Sequence, residues 1–218
     1  MKLPMLALCL IWAAVAGAQE QKSGAGSAGR PATVGAVTPI YGQLVMFSYP
    51  AGFKHAHAND TGSYYIQESV LAGETVEKWS QMITVTGSKG LASNANVTPQ
   101  RVIENVAAGF QRACPGSFRA VAVGTLKVSG HDAFTAFVAC GAVQSGVARS
   151  ESALLVAVKG TTDYYTIQWA ERGARAEQAP VFDGDKWLAR LKQLYPLKLC
   201  PRAPGEPEPY PSCINQKE

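Results

Sequence analysis

The sequence predicts an α+β domain: a mainly antiparallel sheet of six or seven strands with two covering helices. Three observations carry this expectation. Period-two runs rich in β-branched and aromatic residues recur along the chain. Two stretches switch to the three- and four-residue spacing of amphipathic helices. The strand-like runs are joined by short Gly- and Asp-bearing connectors, which favours adjacent antiparallel pairing and places the helices over the sheet.

Taken in order, 44–49 is apolar and aromatic and is stopped by Pro50-Ala51-Gly52. The run 63–70 sets Tyr64, Ile66 and Glu68 on one face and Tyr65, Gln67 and Ser69 on the other. At 81–86, Met82, Thr84 and Thr86 alternate with Ile83 and Val85. Thr98 before Pro99 then combines a capping hydroxyl with proline at the first helical position. Val102, Ile103, Val106, Ala107, Phe110 and Ala113 give that helix its apolar stripe, and Cys114-Pro115-Gly116 ends it.

Strands at 118–128 and 133–140 flank the turn Ser129-Gly130-His131-Asp132, and strands at 152–158 and 164–170 flank 159–163. The run 153–158 is apolar on both faces, so it belongs in the middle of the sheet. Asp183 or Asp185 can cap a last helix carrying Trp187, Leu188, Leu191, Leu194 and Tyr195, and Pro196 stops it.

The two ends read differently. Residues 1–18 have a basic start at Lys2, an apolar run of about 13 residues and the small residues Ala16-Gly17-Ala18, the layout of a secretory signal peptide. A run that short falls below the ~20 residues needed to span a bilayer. No second long apolar run follows, so no transmembrane segment is expected once the leader is cleaved. Residues 19–39, rich in Gly, Ala and Ser, read as a flexible linker. A single domain is expected over 40–200, followed by a proline-rich tail at 201–218.

Of five cysteines, Cys9 lies in the leader. Cys114, Cys140, Cys200 and Cys213 remain, an even set that reads as disulfides in an exported protein. Three connectivities are open. Local order favours Cys114–Cys140 and Cys200–Cys213, worth roughly 3.5 and 3 kcal/mol by the chain-entropy model.

The chain is 47% apolar and 17% charged with a net charge of +4, the balance of a core-forming globular protein. Its basic residues are scattered, without the clustered face that nucleic acid requires. There is no GxSxG elbow, SxxK, HExxH or phosphate-binding glycine loop. Ser129, His131 and Asp132 have the residue types of a hydrolase triad but sit on one tight turn, where their side chains diverge.

His55 and His57 with Asp60 form the best site candidate. Residues two apart on an extended segment project to the same face, and two imidazoles with a carboxylate suit zinc or copper. The alternative is a solvated polar loop at 54–62. Asn59-Asp60-Thr61 and Asn96-Val97-Thr98 also match a glycosylation acceptor pattern.

Three segments carry a family resemblance. Phe47-Ser48-Tyr49-Pro50-Ala51-Gly52-Phe53 resembles the opening strand and turn of PsbP-like domains. The hairpin Val128-Ser129-Gly130-His131-Asp132-Ala133-Phe134 is similar to one of their turns. Tyr165-Thr166-Ile167-Gln168-Trp169, with the closing helix, is similar to their last strand and terminal helix. The resemblance spans roughly residues 44 to 195 and implies an α/β/α sandwich, commonly extracytoplasmic and non-catalytic.

The functional expectation is therefore a secreted or periplasmic, non-enzymatic binding or interaction domain without a cofactor. Its partner would be an envelope protein or a small ligand. The alternative is a metal-binding protein or metalloenzyme built on His55 and His57.

Overall fold

The computed structural model describes residues 33–144 and 148–216. The chain runs β1 (Thr33–Ile40), β2 (Gln43–Pro50), β3 (Phe53–Asp60), β4 (Tyr64–Leu71), β5 (Gln81–Ser88), α1 (Pro99–Ala113), β6 (Phe118–Val128) and β7 (His131–Cys140). It continues through β8 (Arg149–Lys159), β9 (Tyr164–Ala174), α2 (Gly184–Leu194), β10 (Lys198–Pro201) and the single turn α3 (Pro211–Ile214). Seven strands form one sheet in the order β3-β4-β5-β9-β8-β7-β6, and β1-β2-β10 form a second. Every pairing is antiparallel.

Alternation assigns the faces of the large sheet. Val70, Met82, Ala153, Leu155 and Ala170 meet α1 through Ile103 and the partly buried Val102, Val106 and Phe110. Small residues (Ala136, Ala153, Ala157, Ala170) let the helix approach closely. On the opposite, inner face, Ile83, Val85, Val156, Ile167 and Trp169 pack on Val45, Phe47 and Leu199 of the small sheet and on Leu194 of α2. Trp187 of α2 seats against Phe137, with ring centroids 5.2 Å apart. The inner face is thus shared between a helix and a three-stranded sheet. β8 lies beneath both layers and is buried without interruption from Ser152 to Val158, as its two-sided apolar sequence predicts.

Both helix starts follow their sequence signals. Thr98 Oγ1 accepts from the Arg101 N–H and Pro99 stands at the first position; Asp183 accepts from the Lys186 N–H.

Three segments depart from the sequence reading. The signal segment and the first part of the 19–39 linker lie outside the described residues, but residues 33–39 are strand, not linker. Gly35 and Pro39 mask the strand signal, while pairing with β2 supplies the backbone hydrogen bonds; an edge strand tolerates such a proline. The polar loop expected at 54–62 is largely β3, an edge strand exposed on both faces at 54–60 and therefore without alternation.

The proline-rich tail, expected largely outside the core with Cys213 tying part of it back, is tied back at Cys213 and buries more than that cysteine. Tyr210 and Cys213 are buried with Leu44, Met46 and Cys200 on the outer side of the small sheet. Lys198, itself buried, donates through Nζ to the carbonyls of Cys213, Ile214 and Gln216.

The favoured cysteine pairing is the one present. Cys114–Cys140 joins the end of α1 to the end of β7, and Cys200–Cys213 pins the tail. The Cα separations of 5.8 and 5.6 Å lie within the range such bridges adopt.

Candidate functional site

α1 crosses β6, β7 and β8 and leaves the β4–β5 half of the same sheet face open. The uncovered strip is the floor of a groove of about 690 Å³. Its floor comes from the alternation already visible in the sequence. Tyr64, Ile66 and Glu68 project from β4; Met82, Thr84, Thr86 and Ser88 from β5; Thr166 and Gln168 from β9. Register aligns them in rows across the strands: Ile66, Thr86 and Thr166 in one, Glu68, Thr84 and Gln168 in the next. Arg101, Val102, Asn105 and Val106 of α1 form the wall. Leu91 and Val97 close one end, and Val76 and Trp79 the other.

The floor carries a hydrogen bond of its own. Thr86 Oγ1 and Thr166 Oγ1 lie 2.6 Å apart, and Tyr64 lies beside Thr86 in the same face. Burial raises the Tyr64 pKa, the neighbouring Thr86 hydroxyl opposes that shift, and the charge of Glu68 adds to it. The phenol therefore remains a hydrogen-bond donor at neutral pH.

At the Trp79 end, Arg172 lies over the indole ring at 3.6 Å, donates to Glu151 at 3.2 Å and reaches the Glu77 carbonyl at 3.4 Å. Burial lowers its pKa and Glu151 opposes the shift, so the guanidinium stays charged. This end is pre-organised. Chemically, the groove offers hydroxyls, an amide and a carboxylate on its floor beside a helix wall that alternates Val102 and Val106 with Arg101 and Asn105, which suits recognition of an amphipathic ligand.

The structure separates His55, His57 and Asp60. A β-bulge lies between His55 and His57, so His55 pairs with Ser69 whereas His57 pairs with Glu68. Ser69 and Glu68 are consecutive on β4 and face opposite ways. His55, together with Asp60 opposite Tyr65, therefore belongs to the inner face, and His57 to the α1 face. The expectation that residues two apart share a face fails because the bulge inserts a residue. All three are exposed, and among the described residues no group of three His, Cys, Asp or Glu could hold a metal ion. These residues do not fit a zinc or copper centre.

Ser129 and Asp132 have structural partners on and near their turn. Ser129 Oγ accepts from the Leu199 N–H at 3.1 Å, and Asp132 pairs with Lys127 at 2.6 Å. Asn59 and Asn96 are exposed.

The sequence reading passed over Glu68, Thr84, Gln168 and Arg101 as site residues. Their signal was compositional. The β5 face that begins with Met82 under the helix continues as Thr84, Thr86 and Ser88, too polar for a helix-covered surface.

No protein-family model matches the chain, and no curated protein matches its sequence. Among solved structures, it is similar to cyanobacterial PsbP from Synechocystis sp. PCC 6803, at 12% identity over 77% of this chain and 89% of that one, with a TM-score of 0.43. It is also similar to the Ran-binding protein Mog1p of Saccharomyces cerevisiae, at 16% identity over 75% and 86% of the two chains, with a TM-score of 0.40. A third similarity is to LpqN of Mycobacterium tuberculosis, described as involved in cell envelope biogenesis. It has 8% identity over 78% and 92%, with a TM-score of 0.38. The chain has a weak PsbP-like structural resemblance.

Proposed function

We propose that this protein is a non-enzymatic binding domain of the secreted or periplasmic space, which engages an envelope protein or small ligand through the groove beside α1. The observation that carries this reading is the groove floor. It is an uncovered polar strip of sheet, Thr84, Thr86, Thr166, Gln168 and Glu68, enclosed as a groove: Arg101, Val102, Asn105 and Val106 wall it along α1, and Leu91, Val97, Val76 and Trp79 close its ends. The apolar leader at 1–18 and the two disulfides support an oxidising, extracytoplasmic location.

The test is a substitution that fills the floor without touching the core. Thr84→Trp is expected to abolish reproducible capture of a partner from envelope extract while the melting temperature stays within a few degrees of wild type. Capture that survives Thr84→Trp, or no reproducible partner for the wild-type chain, would overturn the reading.

A further inference from the structure

Glu68 is a half-buried residue of the groove floor whose carboxylate has no cationic partner among the described residues. The other two sheet glutamates differ. Glu151 is paired with Arg172 at 3.2 Å, and Glu171 with Arg190 at 2.8 Å. On its own face Glu68 has His57 on one side and Thr84 on the other, with Gln168 continuing the row. A positive group brought to this carboxylate would make a charge-assisted hydrogen bond that no side chain of the described residues supplies.

The shape of the groove says what brings that group. From Met82 to Ser88 the floor runs along one strand for about 20 Å at ~3.3 Å per residue, room for roughly six extended residues. Thr84, Gln168 and Asn105 offer donors and acceptors to peptide amides, and Ile66 and Val102 offer apolar contact. Arg101 lines the same groove from the first turn of α1, so a run of basic residues would be repelled there.

Resting on the groove reading above, we infer that the occupant is an extended peptide segment of a partner protein that places one lysine side chain on Glu68. The ammonium of that lysine donates to the Glu68 carboxylate and to the Thr84 hydroxyl.

The experiment is an NMR titration of the isotopically labelled full chain with two peptides. One is acetyl-Ala-Val-Lys-Val-Ala-amide; the other has norleucine in place of lysine. The lysine peptide is expected to shift the backbone amides of Glu68, Thr84 and Gln168. The norleucine peptide, and the lysine peptide on Glu68→Gln, are expected to bind about tenfold more weakly, the factor of roughly one charge-assisted hydrogen bond.

Thr84→Trp is expected to abolish binding of both peptides. Equal binding of the two peptides, or no effect of Glu68→Gln, overturns the lysine assignment. If Thr84→Trp still abolishes that binding, the groove reading stands. Binding that survives Thr84→Trp overturns the groove reading itself. Absence of any lysine-peptide shift at millimolar concentration overturns the inference, while partner capture from extract tests the groove independently.

Discussion

The guanidinium of Arg172 lies 3.6 Å from the centre of the Trp79 ring while donating to Glu151 at 3.2 Å. One side chain on β9 thereby ties the β4–β5 connection, which carries Trp79, to the start of β8, which carries Glu151. Both interactions are largely shielded from water, with the Arg172 side chain 18% exposed.

Arg172→Ala is expected to lower stability by about 2 kcal/mol, the scale of a desolvated cation–π contact with a charge-assisted hydrogen bond. Arg172→Lys should recover less than half of that, because an ammonium cannot stack on the indole and fork to Glu151 together. Urea denaturation measures both. Equal stability of the lysine variant and wild type would show that charge alone matters at this position.

The two sheets approach closely at Gly87. A Cβ there would stand 2.4 Å from Cγ2 of Ile40 and 3.1 Å from the Tyr41 ring. Ile40 is buried in the shared core, so it has little room to yield. Gly87→Ala is expected to cost about 1–3 kcal/mol through overpacking. Combined with Ile40→Ala, which removes the opposing methyl, it should cost measurably less than the sum of the two single changes. Strict additivity in the double-mutant cycle would contradict the contact.

What was legible in the sequence follows from which elements are half-buried. β5 alternates from Ile83 to Ser88 because one face is buried and the other half-exposed, and α1 shows its stripe for the same reason. β3 showed nothing, since 54–60 are exposed on both faces and its bulge breaks the period. β1 was hidden by Gly35 and Pro39, and α3 by the prolines around it; tertiary pairing with β2 and the Cys200–Cys213 bridge hold them in place.

The groove is a harder case. Thr84 and Glu68 could be placed on a face, but where α1 stops covering that face depends on how the helix crosses the strands. No local pattern encodes that crossing.

Alkaline pH should weaken the fold in a way traceable to Tyr165. Burial first, and then the neighbouring Asp163 carboxylate, hold the phenol neutral well above its ordinary range. Its hydroxyl faces the Ile40 carbonyl at 3.3 Å and Asp163 at 3.4 Å. The folded pKa is raised above the unfolded value of ~10. The contribution to stability is therefore complete below pH ~10 and is lost as pH rises through the folded value. Stability from urea midpoints is expected to fall steadily above pH ~10. In Tyr165→Phe that slope should be shallower by up to about 1.4 kcal/mol per pH unit, one proton's worth. An unchanged slope would assign the alkaline transition to other groups.

The tail is expected to behave as a separately releasable clamp. Its cluster of Leu44, Met46, Cys200, Tyr210 and Cys213 lies on the outer side of the small sheet, away from the main core. The bridge closes a loop with a sequence separation of 13, for which the chain-entropy model gives about 3 kcal/mol. In Cys200→Ser/Cys213→Ser, the Lys198 bonds to the last carbonyls and the burial of Tyr210 must hold the tail alone. Limited proteolysis should then cut between residues 202 and 216 at least tenfold faster, while the seven-stranded core stays protected. Because Leu44 and Met46 become exposed, the same variant should bind a hydrophobic dye more strongly than wild type. Cleavage at the wild-type rate would mean that packing of Tyr210, and not the disulfide, retains the tail.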